Sequence, residues 1–195
     1  MKIIFLDNDG VICLDNNWGG RTRKWNEWIK KHPESLSYKD CDVFHRFDNF
    51  DKKAVNVLNQ ILEETGAEIV VSSDWKKHAS LNELGDYYIS QGISKRPIAI
   101  TPIFIGCDKH DGFEWSYCDQ YEQQRCLEIM QYVKDNPSIT HWVAVDDLVM
   151  QREVTNKHNG DQSRVWGLDN FVWTPKMSEG IKQTGIKQKI LNLLS

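Results

Sequence analysis

Residues 2–10 read KIIFLDNDG, a short run dominated by apolar side chains that ends at Asp7, Asn8, Asp9 and Gly10. A continuous apolar run of this length fits a strand buried on both faces of a parallel sheet. Two further runs share its form: EIVV at 68–71, followed by Ser72, Ser73 and Asp74, and WVAV at 142–145, followed by Asp146 and Asp147. Helical spacing precedes each of them. Ala54, Val57, Leu58, Ile61 and Leu62 lead to Gly66, and Leu127, Ile129, Met130 and Val133 lead to Pro137. Strands alternating with helices predict an α/β class with a central parallel sheet. Weaker strands are expected at 97–104 and 170–174, and a closing helix over 181–194.

The 195 residues, 40% hydrophobic and 27% charged, suffice for one buried core, so a single domain over 1–195 is expected. Two insertions stand out, one at 13–50 after the first strand and one at 77–119 after the second. The formal charge of -4 argues against a protein that holds nucleic acid by a large basic face, while leaving room for a local basic patch. Five cysteines without CxxC spacing point to a reducing compartment. The first strand is too short for a signal sequence, and no apolar run approaches the roughly 20 residues that span a bilayer. A soluble, cytoplasmic protein with no membrane partner is the expectation.

In an open parallel sheet the ligand sits beyond the carboxyl ends of the strands, where this chain puts Asp7, Asp9, Ser72, Ser73, Asp146 and Asp147. Gly10 permits a tight turn whose amides can approach a ligand. A carboxylate can attack phosphorus, and an alkoxide leaving group then needs a proton from a second acid. Asp7 fits the nucleophile and Asp9 the acid, which afterwards activates water. Several carboxylates around a dianionic phosphate require a hard cation with oxygen ligands, and Mg2+ fits, held by Asp7, the main-chain carbonyl of Asp9, Asp146 and its neighbour Asp147. Ser72 is expected to bond phosphate, with Ser73 the alternative because a shift of one residue exchanges their directions. Arg125 is expected to balance transition-state charge, with Lys109 second. Asn8, Gly10, Ser73, Lys76 and Lys109 complete the expected substrate contacts.

These motifs carry a resemblance. DNDGVI resembles the DxDGV(L/I) first motif of haloacid dehalogenase (HAD) hydrolases, EIVVSS their second and VAVDD their fourth. The resemblance implies a Rossmann-like HAD fold, a three-layer α/β/α arrangement with a small or absent cap, and Asp9 implies the phosphatase branch. FDKKAVNVLNQILEETGAEIVVSSDWK, RCLEI and HWVAVDD are similar to HAD domains of RNA-repair proteins and, more loosely, to polynucleotide 3'-phosphatase domains. Those usually carry Ser-Trp-Arg after the second strand. Here Asp74, Trp75 and Lys76 stand, so bidentate phosphate contact by Arg is absent at that point.

Competing readings are weighed on the same residues. An EF-hand register placing its glycine at Gly10 puts Phe5 and Asn16 at the two most important ligand positions, which removes calcium. The histidines, His45, His110 and His158 among them, show no zinc spacing. WGGRTRKWNEWIKKH at 18–32 reads either as an amphipathic helix covering a sheet edge or as a small cap that stacks bases and contacts phosphate. The leading function is a phosphomonoesterase acting on a nucleotide or a phosphorylated nucleic-acid end. The alternatives are a capped 5'-nucleotidase or small-metabolite phosphatase, and a phosphate-ligand binder without turnover.

Overall fold

The computed structural model describes residues 1–15, 23–34, 40–103, 119–151 and 167–195. Its first half runs through β1 (Lys2–Leu6), α1 (Arg23–Lys31), α2 (Val43–Arg46), α3 (Lys52–Thr65), β2 (Glu68–Val71), a short 3₁₀ helix (Asp74–Lys77) and α4 (Leu81–Ser90). The second half adds β3 (Ala99–Ile100), α5 (Asp119–Asp135), β4 (His141–Asp146), β5 (Phe171–Trp173), a 3₁₀ helix (Gly180–Lys182) and α6 (Ile186–Leu193). The sheet order is β3-β2-β1-β4-β5, parallel throughout. The chain therefore winds outward from β1 to one edge and returns to β4 on the other side, leaving a crevice at the strand ends where the order reverses.

Alternation along the strands builds two cores. Ile4, Leu6, Ile69, Val71, Val143 and Val145 pack with Leu58 and Ile61 of α3, Leu84 of α4 and Ile190 of α6. Ile3, Phe5, Val70 and Ala144 pack on the opposite face with Cys126 and Ile129 of α5. The result is the expected three-layer α/β/α arrangement. Among the described residues no helix is long and apolar enough to cross a membrane.

Local chemistry sets the element ends. Asp51 caps α3 by accepting from the Ala54 amide at 2.9 Å, and Gly66, at φ 68°, closes it. Ser80 and Glu83 form a reciprocal capping box on α4. The strand expected over 97–104 is shorter than the sequence suggests. Ile98 and Thr101 donate to Ile69 and Val71, but Pro102 has no N–H with which to extend the ladder. The closing helix starts only at Ile186, because Gly185 breaks the preceding turn at φ 86°. Arg125, expected to open its helix, sits more than a turn inside α5.

The first insertion is stitched at its ends, where the Asp51 amide donates to the Ile12 carbonyl at 2.8 Å. Within it, the Asp48 carboxylate accepts from the amides of Arg23 and Lys24 at 2.9 and 2.8 Å, capping α1. α1 packs against α2, and α2 against α4. No residue of α1 is fully buried, and its rings stack on one another, Trp25 on Trp28 at 5.7 Å and Trp28 on His32 at 4.3 Å.

The C-terminal segment locks the first loop through a 2.9 Å bond from the Ile181 amide to Val11 O. Gly180 lies so close that a Cβ there would sit 2.1 Å from the same carbonyl oxygen, at φ +53°. Gly180→Ala is expected to cost more than about 2 kcal/mol of stability. Gly66→Ala, at φ +68° with open space around it, should cost only the left-handed strain of about 1 kcal/mol. Urea unfolding of both variants checks this, and equal losses would contradict the close approach.

Candidate active site at the strand ends

Register decides which side chains meet. Leu6 pairs with Val71 on one side and Val145 on the other. The ladder continues through Ser72 N to Leu6 O at 2.9 Å and Asp7 N to Val145 O at 3.0 Å, so Asp7, Ser72 and Asp146 come level at the carboxyl ends. The following loop folds around the Asn8 carbonyl, which accepts from the amides of Val11, Ile12 and Cys13. Gly10, at φ +70°, lets this loop lie against Asp147, since a Cβ there would sit 2.3 Å from Asp147 Oδ2. On the far side, the indole of Trp173 donates to the Asp147 carbonyl at 3.0 Å.

Asp7 and Asp146 are almost wholly buried. Burial pushes both carboxyls above their ordinary range, Asp146 strongly so, and Arg125 opposes the shift in both. The Arg125 Nη1 donates to Ser72 O at 2.5 Å and to Asp146 Oδ2 at 2.8 Å, and lies 3.3 Å from Asp7 Oδ1. Asp7, Asp146 and Asp147 each offer a carboxylate oxygen, all within 4.8 Å of one another. An all-oxygen set with more negative charge than one guanidinium neutralises fits a hard divalent cation such as Mg2+. The Asp9 carboxylate is held away from that cluster, its Oδ2 accepting from Trp75 Nε1 at 3.0 Å.

The remaining expected residues divide. The Ser73 hydroxyl bonds the Asp7 carboxylate, while Ser72 Oγ is buried without a partner among the described residues. Lys76 needs correcting as a substrate contact. Its ammonium has three protons, and Thr101 Oγ1 at 2.6 Å, Pro102 O at 3.1 Å and Glu128 Oε2 at 2.5 Å take them. Asn8 also turns inward, its Oδ1 accepting from Tyr88 at 2.5 Å, which leaves only its main chain near a ligand. His45 is exposed and pairs with Asp42. Lys109, His110 and His158 lie outside the described residues.

Above the carboxylates opens a cavity of about 650 Å³, whose wall includes Asp7, Asp9, Arg125, Phe47, Trp75 and Tyr121. Sequence reasoning missed Phe47, Trp75 and Tyr121. No spacing signal links positions 9 and 75, because the β1–β2 pairing is what brings them together. A Trp beside the expected serines was the only available hint.

Comparison with known proteins fits this geometry. The family described as the HAD domain in Swiss Army Knife RNA repair proteins matches residues 3–168. No curated protein and no solved structure matches the chain.

The Lys76–Glu128 pair, with side chains 1% and 3% exposed, generates a stability prediction. Burial lowers the Lys76 ammonium pKa and Glu128 opposes this, so removing one partner strands a buried charge. Lys76→Met should cost about 3–5 kcal/mol, and adding Glu128→Leu should recover most of it. Chemical denaturation of the single and double variants checks this, and a Lys76→Met protein as stable as wild type would contradict it.

Proposed function

The chain belongs to the family of HAD domains of Swiss Army Knife RNA repair proteins, and from that premise we propose that it is an Mg2+-dependent phosphomonoesterase acting on phosphorylated nucleic-acid ends or nucleotides. The observation that carries the reading is the separation of two carboxylates on one loop. Asp7 joins Asp146 and Asp147, whereas Asp9 points to Trp75 and still lines the cavity. Such a division suits a nucleophile held among cation ligands beside a separate proton donor.

In this reading the Asp7 carboxylate oxygen attacks phosphorus as the bond to the leaving oxygen breaks, and Asp9 gives its proton to that oxygen. A water oxygen then attacks the aspartyl phosphate, passes its proton to Asp9 and frees Asp7 and inorganic phosphate. Arg125 stands where a guanidinium can offset charge on the equatorial oxygens. Bound Mg2+ supplies charge neutralisation and Lewis acidity, and Asp7, Asp146 and Asp147 would hold it.

The cavity is roomier than phosphate alone requires, and Tyr121, about half exposed, offers a ring on its wall. Among the described residues α1 contributes nothing to that wall, which favours an open site over a capped one. Phosphate release from p-nitrophenyl phosphate, mononucleotides and 3'- or 5'-phosphorylated oligonucleotides, with Mg2+ or EDTA, tests the reading. Turnover should require the metal and fall more than about 1,000-fold in Asp7→Asn. Release from oligonucleotide ends above that from mononucleotides supports the open site, and the reverse order supports a nucleotidase. Binding of a substrate without any release would replace the enzyme reading with a phosphate-ligand binder.

A further inference from the structure

We infer that Trp75 is a positioning residue for Asp9, assigning the transferred proton to Asp9 Oδ1 by occupying Oδ2; the inference rests on the reading of Asp9 as proton donor. Trp75 follows β2 and Asp9 follows β1, 66 residues apart in the chain, and Nε1 meets Oδ2 at 3.0 Å. An indole N–H donates and never accepts. An acid proton placed on Oδ2 would face another proton, so it resides on Oδ1.

The indole is itself fixed. Trp75 is only 5% exposed and stacks on Phe47 with centroids 4.1 Å apart and planes within 5°. Phe50 stacks at 5.5 Å, and Tyr87 meets the ring edge-on at 5.8 Å. An aspartate χ2 is otherwise broad, so a donor anchored in an aromatic cluster holds the carboxyl plane through the reaction.

The hydrogen bond also acts differentially. As Asp7 bonds to phosphorus and the leaving oxygen departs, Oδ1 gives up its proton and negative charge spreads onto Oδ2. The indole bond then becomes charge-assisted and stronger, which lowers the barrier rather than only tightening the ground state. In the second half-reaction water returns a proton to Oδ1 as its oxygen bonds to phosphorus and the bond to Asp7 breaks.

Leaving-group dependence separates positioning from mere packing. A p-nitrophenolate departs without protonation, whereas the alkoxide of a nucleotide or oligonucleotide end needs it. Two replacements serve: Trp75→Phe, and Trp75→3-benzothienylalanine, which keeps the ring shape and exchanges N–H for sulfur. kcat/KM, which reports steps up to loss of the leaving group, should fall about 10- to 100-fold on alkyl phosphates and stay close to wild type on p-nitrophenyl phosphate. Equal losses on both substrate types, or no loss on alkyl phosphates, would overturn the positioning role and leave the proposed activity standing. A wild-type protein that hydrolyses neither type removes the activity and this inference together.

Discussion

Two carboxylates buried side by side are the constraint around which the molecule is arranged. Parallel pairing of β1 with β4 forces Asp7 and Asp146 together, and taking both out of water costs several kcal/mol per ion unless a partner is supplied. Arg125 is that partner, and it reaches the pair because Cys126 and Ile129 seat α5 on the face of the sheet formed by Ile3 and Phe5. One turn along the same edge, Glu128 meets Lys76. Arg125 and Glu128 thus tie α5 to the segment after β2 by two buried charge contacts, one at Ser72 O and one at the Lys76 ammonium. A slide of α5 along the sheet would break both, so these contacts register the helix as well as neutralise the site.

Much of this was legible beforehand, and the reason is periodicity. β1, β2 and β4 are continuous apolar runs whose ends carry the acidic and hydroxyl residues, so the sheet and the order of its chemistry follow from short stretches. β3 was overextended because apolar content at 97–104 outweighed the missing N–H of Pro102. Lys76 was taken for a ligand contact because a lysine after a strand end commonly faces solvent. Its engagement depends on Glu128, 52 residues away, and no local pattern shows that. Trp75 stayed invisible as a site residue for the same reason. Contacts created by strand register and helix packing are long-range, and composition records only that the chain is rich in tryptophan.

The aromatic residues form a second framework behind the carboxylates. Phe47 and Phe50 come from the first insertion, Trp75 from the turn after β2, and Tyr87 and Tyr88 from α4. Tyr87 donates to the carbonyls of Phe47 and Asp48 at 3.0 and 2.8 Å, and Tyr88 donates to Asn8. Burial pushes both phenols upward, so they remain protonated donors. The first loop, the insertion and α4 therefore share one rigid cluster, and its polar tips meet the main chain beside the reacting groups.

The bond from Asp51 to Ile12 brings the two ends of the first insertion together before the chain re-enters the core at α3. A segment closed in this way is a graft on a finished body. Closure entropy grows only with the logarithm of loop length, about 0.6 kcal/mol for each doubling, so lengthening or trimming the segment disturbs the strands little. Descendants of this architecture can exchange the whole excursion, and with it the surface offered to a long polymer or a small molecule, while inheriting the carboxylate pair unchanged. Selectivity and reactivity thereby evolve on separate clocks.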